Sequence, residues 1–131
     1  MRIKWTGLYV DDQDKALQFY TDKLGFQKKG DFSQGSYRWL TVVSPEDPEG
    51  MELVLESTAN PAGKAYQAAI RGQEQPAAQF LVSDVQAEHD RLVAKGVKFT
   101  MPVTSVTGSI IAMLDDTCGN LIQLTHLTWA A

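Results

Sequence analysis

Leu8-Tyr9-Val10-Asp11-Asp12, running through Lys15-Ala16-Leu17-Gln18-Phe19-Tyr20 to Leu24-Gly25-Phe26, is the stretch that decides the fold. It reads as a short strand, an acidic turn, an amphipathic helix and a glycine stop. Leu17, Tyr20 and Leu24 recur at helical spacing, with Ala16 and Phe19 widening the stripe. Asp11 or Asp12 can cap the helix, because a carboxylate accepts bonds from the free N–H groups of a first turn. Gly25 can take the left-handed backbone that ends it. The same order returns in the second half. Phe80-Leu81-Val82-Ser83-Asp84 runs into Glu88-His89-Asp90-Arg91-Leu92-Val93 and stops at Lys95-Gly96-Val97.

Working outward, each copy is followed by strands. Residues 26–29, 37–43 and 51–56 follow the first helix, the middle one rich in aromatic and β-branched residues. Residues 97–101, 109–114 and 121–127 follow the second, and 3–10 and 78–82 precede the helices. Ser83 and Gln86 have the spacing of a capping box at the start of a helix over 85–95. Residues 57–76, framed by Asn60-Pro61, Gly63 and Pro76, read as a polar surface connector with one helical turn over 65–70. The expectation is an α+β chain, a single domain over 1–131. A βαβββ unit over about 1–58 and another over about 77–128 are joined by a connector over 59–76.

A length of 131 residues, 44% of them apolar, is enough for one sizeable core. The net charge of −4 supplies no basic footprint, so nucleic acid is not an expected partner. One cysteine, Cys118, excludes a disulfide framework and a multi-thiolate zinc site within the chain. No apolar run reaches the roughly 18 residues of a membrane span, and no signal-peptide core follows Met1. A cytoplasmic protein with no membrane association is expected. A Gly-rich phosphate loop, a Ser-His-Asp order and zinc-finger spacing are all missing.

The repeat, the Val10-Asp11-Asp12…Phe19-Tyr20…Leu24-Gly25-Phe26 signature and the closing Asp115-Asp116…Gly119-Asn120-Leu121-Ile122-Gln123-Leu124 resemble the vicinal oxygen chelate superfamily. That family comprises glyoxalase I, the bleomycin resistance proteins and the extradiol dioxygenases. The resemblance implies two βαβββ units forming paired half-barrels around a ligand cavity. The pairing is made within one chain or exchanged across a dimer, and a homodimer is expected. It also implies four metal-ligand positions in the enzymes, and here these carry Trp5, Ala77 (or Ala78 if the register slips), Gln123, and Glu56 with Glu52 as the alternative.

Those residue types argue against a metal. Trp and Ala offer no ligand atom, and Gln ligates only through an uncharged carbonyl. The two histidines, His89 mid-helix and His126 beside inward-facing Thr125, are expected on outer faces. No metal and no cofactor is therefore expected. The inward face is read as aromatic, with Trp5, Gly7 and Tyr9 on the first strand and Trp39, or Tyr37 with Arg38, on the third. Aromatic walls suit a flat hydrophobic or aromatic small molecule; the plain alternative is barrel packing. Glu56 and Gln123 are read as facing each other across the cavity. They would supply the polar contacts, with Glu56 a weak candidate for a catalytic base. Trp5, Tyr9, Trp39, Glu56 and Gln123 form the expected ligand-binding set. The expected function is a metal-free sequestering or resistance-type protein. The alternative is a lyase, isomerase or dioxygenase-type enzyme with a divergent site.

Overall fold

The structure, a computed structural model, describes residues 1–129. The chain runs β1 (Trp5–Val10), α1 (Gln13–Gln18), β2 (Gln27–Gln34), β3 (Tyr37–Val43), β4 (Glu52–Ser57), α2 (Pro61–Gly72), β5 (Ala78–Leu81), α3 (Val85–Ala94), β6 (Phe99–Val106), β7 (Ser109–Asp115) and β8 (Leu121–Leu127). It divides into two compact units, Met1–Tyr66 and the part that starts at Gln67. The first holds a four-stranded sheet in the order β1-β4-β3-β2, the second one in the order β5-β8-β7-β6. The fold is α+β, two similar βαβββ halves.

In each half the first strand pairs parallel with the last, and the other neighbours are antiparallel. Leu8 stands opposite Leu55, and Val10 opposite Ser57. Side chains alternate across a strand, so Leu8, Val10, Leu40, Val42 and Leu55 share one face and are all buried. α1 packs on that side, against β4. In the second half Ala112, Leu114, Ile122 and Leu124 are buried in the same way, with Val85 and Leu92 of α3. Burying about ten such apolar side chains at roughly 1.5–3 kcal/mol each is the main drive for each sheet–helix layer.

Four local expectations are corrected. Asp12, whose carboxylate accepts from the Lys15 N–H at 3.1 Å, caps α1. In α3, however, the cap is Asp84, accepting from the Ala87 N–H at 3.0 Å, so the Ser83–Gln86 box does not form. Gln86 instead donates to Asp90. The expected single turn over 65–70 is the three-turn helix α2, begun by Pro61 and by Asn60 accepting from the Ala62 N–H. α1 does not run on as an α-helix to Leu24. It widens into a π-helical turn over Phe19–Lys23, and the Thr21 hydroxyl donates back to the Leu17 carbonyl at 2.7 Å. Of the expected stripe, Ala16, Phe19 and Tyr20 are buried, and Leu17 and Leu24 are only half-buried. Gly25 ends the segment at φ +86°, as expected. β2 and β6 extend well beyond their apolar residues, because ladder bonds to β3 and β7 hold polar edge residues too.

Candidate functional site

The face of the first sheet turned away from α1 is the candidate site. Trp5, Gly7 and Tyr9 of β1 stand opposite Glu52, Val54 and Glu56 of β4. Val43 and Thr41 of β3 pair with Glu52 and Val54, which brings Trp39 and Tyr37 onto the same side. Phe32 of β2 pairs with Trp39. Four of the five residues expected to bind ligand, Trp5, Tyr9, Trp39 and Glu56, therefore lie on one face of one unit.

The rings form two groups. Trp39 stacks with Phe32 at a centroid distance of 6.3 Å and meets Trp5 edge-on at 6.2 Å. Room for its indole comes from Gly30, where a Cβ would lie 3.0 Å from Trp39 Nε1. Tyr9 meets Tyr66 of α2 edge-on at 6.5 Å, and Gly63 of α2 lies so close that any Cβ there would enter the Tyr9 ring. Large rings on a buried barrel wall would be covered. Here Trp5 is 55% exposed, Phe32 63% and Tyr37 48%.

The two carboxylates on this face have different surroundings. Glu52 is buried at 8% exposure, accepts from the Thr41 hydroxyl at 2.7 Å, and pairs with Lys4 at 3.4 Å. The Thr41 bond, with Lys4 and against desolvation, holds its carboxyl below the ordinary range. Glu56 is half-buried and accepts from the Tyr37 hydroxyl at 3.3 Å through Oε1. Partial desolvation and the Glu56 charge push the Tyr37 phenol above its ordinary value near 10. Gly7 leaves bare backbone beside Glu56, and a Cβ there would lie 3.7 Å from Glu56 Cγ.

Gln123, the fifth expected residue, lies in the second unit, on β8. It pairs with Gln79 of β5 and Met113 of β7. Its amide nitrogen donates to Gln79 Oε1 and Thr125 Oγ1, each at 3.1 Å. A cavity of about 500 Å³ in this unit includes Met113, Met101, Leu121 and Arg71 in its walls. Arg71 is paired with Asp115 at 3.1 Å. Nothing in the spacing of these residues marked the cavity, because α2, which brings Arg71, was read as a connector. His89 rests against the Phe99 ring at 4.5 Å, and His126 shares the Ile110 side of β8, opposite to Gln123.

The residues at the four family ligand positions do not fit a divalent metal. Two of them, Trp5 and Ala77, offer no ligand atom, Gln123 offers only an uncharged carbonyl, and Glu56 is a single carboxylate. Among the described residues no group of three or more His, Cys, Asp or Glu side chains is arranged to hold a metal ion. No helix among them is long and apolar enough to cross a membrane.

A family model for the Glyoxalase/Bleomycin resistance protein/Dioxygenase superfamily matches residues 2–124. The chain belongs to that superfamily. The superfamily fold recurs in its relatives of known structure. UcmS2 is 29% identical, with a TM-score of 0.83, covering 95% of this chain and 97% of that one. TnmS3, described as an antibiotic-binding protein from Streptomyces sp. CB03234, is 24% identical with a TM-score of 0.76, covering 98% and 97%. In sequence, the uncharacterized protein YurT of Bacillus subtilis (strain 168) is 52% identical over 126 residues, 96% of this chain and 99% of that one.

Proposed function

We propose that this superfamily member is a metal-free small-molecule-binding protein of the sequestering or resistance type. Its ligand is a flat hydrophobic or aromatic molecule laid on the open face of the first sheet. The observation that carries this reading is the exposure of Trp5, Phe32 and Tyr37 beside Trp39 and Glu56. Exposed rings grouped on one face cost solvation unless something flat covers them, and rings bury large area with few rotors to freeze. The antibiotic-binding description of TnmS3 agrees in kind, although at 24% identity that likeness concerns the fold. The setting is the cytosol, and the working form a homodimer.

A second reading, a lyase, isomerase or dioxygenase-type enzyme, has one observation in its favour. Tyr37 places a phenol donor on Glu56, so a carboxylate and a second proton-carrying group stand together.

Indole emission tests the first reading. Trp5 and Trp39 lie on the face, whereas Trp129 lies over the Gly108 turn. Planar aromatics should quench the wild-type protein in a saturable way. Trp5→Ala should weaken that binding by roughly tenfold or more, the scale of losing one ring wall. Trp129→Phe should leave it unchanged. Affinity indifferent to Trp5→Ala would place the site elsewhere.

A further inference from the structure

The charge on the aromatic face narrows the ligand class further, resting on the binding reading above. On β1, β3 and β4, the positions that share this face are Trp5, Gly7 and Tyr9, then Tyr37, Trp39, Thr41 and Val43, then Glu52, Val54 and Glu56. None is a lysine or arginine. Lys4, just before β1, is committed to Glu52 and to the carbonyls of Glu49 and Gly50. Arg38 of β3 points to the other side, where Asp31 and Asp14 hold it. Among the described residues, Glu52 has Lys4 as an ion-pair partner and Glu56 has none. Tyr37 donates to Glu56 Oε1 at 3.3 Å, and Glu56 is half-exposed. Tyr9 stands opposite it in the ladder, and Tyr37 and Trp39 lie on its other flank.

We infer that the ligand of this face is an organic cation, a planar aromatic molecule carrying a protonated amine or a quaternised ring nitrogen, with Glu56 as its counter-charge. A carboxylate ringed by phenol and indole faces attracts a cation twice, through charge and through the ring quadrupoles. The same surroundings repel an anion and give a neutral ring only stacking. The net charge of −4 adds a diffuse attraction that salt screens, whereas contact with Glu56 persists in salt.

Titration calorimetry with two probes of one shape tests this. N-methylacridinium is a permanent cation, and acridine in mildly alkaline buffer is its neutral counterpart. The wild-type protein should bind the cation about tenfold or more tightly than acridine, and the preference should survive raised ionic strength. Glu56→Gln keeps the shape and hydrogen-bonding capacity and removes the charge. It should abolish the preference by weakening N-methylacridinium far more than acridine. Tyr37→Phe, which frees Oε1, should leave the preference standing with a weaker grip. Equal binding of the two probes, with both lost in Trp5→Ala, overturns the cation inference and keeps the aromatic face as the site. A preference that persists in Glu56→Gln, or that vanishes in salt, also overturns it. Absence of binding by either probe, or binding indifferent to Trp5→Ala, overturns the face itself.

Discussion

Glu52 and Glu56 are the same residue type on the same face of one strand, four positions apart, and their neighbours give them different roles. Alternation along β4 placed them together in the sequence. It could not tell which one is tied down, because Thr41 arrives from β3 and Lys4 from the segment before β1. The Glu52 cluster is structural, and pH tests it. Its folded pKa lies below the ordinary value of 4.5, with the Thr41 bond as the first cause. The stability it contributes is therefore fully present above that value and lost as pH falls through the lower, folded one. Thr41→Val should cost about 1–3 kcal/mol near neutral pH, since it removes a bond to a buried charge. Urea unfolding across pH should show the gap to wild type narrowing as pH falls below the ordinary value of 4.5 and through the lower, folded one. A remainder should persist, because the Gly30 N–H also loses the Thr41 hydroxyl as acceptor. A gap that ignores pH would show that the Thr41–Glu52 bond contributes nothing.

At the scale of elements, α2 is the largest departure from the sequence reading. Asn60-Pro61, Gly63 and the polar composition of 57–76 read as a connector, since glycine and proline are the usual marks of one. Pro61 instead opens the helix at the position where its missing N–H costs nothing. Gly63 is there for contact, because the Tyr9 ring fills the space a side chain would need. In the second unit the other half of α2 is held by Gln67, which donates to the Cys118 carbonyl at 3.0 Å, and by the Arg71–Asp115 pair. These long-range partners have no local sequence signal. Gly63→Ala separates the two views. Propensity alone makes it stabilising by up to about 1 kcal/mol, whereas intrusion into the Tyr9 ring makes it destabilising by about 1–3 kcal/mol. We expect destabilisation in chemical unfolding. A more stable variant would show that Tyr9 moves aside at no cost. The π-helical turn teaches the same lesson, since the spacing of Leu17, Tyr20 and Leu24 assumed an unbroken α-helix, and Tyr20, Ala16 and Phe19 are buried while Leu17 and Leu24 are only half-buried.

For the whole molecule, the repeat is the dominant fact, and both sheets leave edges. β1 and β2 bound one, and β5 and β6 the other. Exposed apolar residues sit on all four of these strands, namely Trp5 on β1, Phe32 on β2, Leu81 at 71% exposure on β5 and Val106 on β6. Unpaired edges with apolar side chains favour coverage by a second copy. Sedimentation at micromolar concentration should therefore show twice the 14.5 kDa chain mass, and a species of the single-chain mass alone would contradict the homodimer. The sequence by itself determined the two halves with their βαβββ order, the family, and the lack of a ligand atom on Trp5 and Ala77. These follow from residue chemistry and from periods of 3.6 and 2, which are local properties of the chain. Only the tertiary structure decided that β4 lies between β1 and β3, that Glu52 is buried while Glu56 is half-exposed, and that Tyr37 donates to Glu56. Each of these depends on which distant strand arrives as a neighbour, and that is fixed by burial of the whole sheet against its helix.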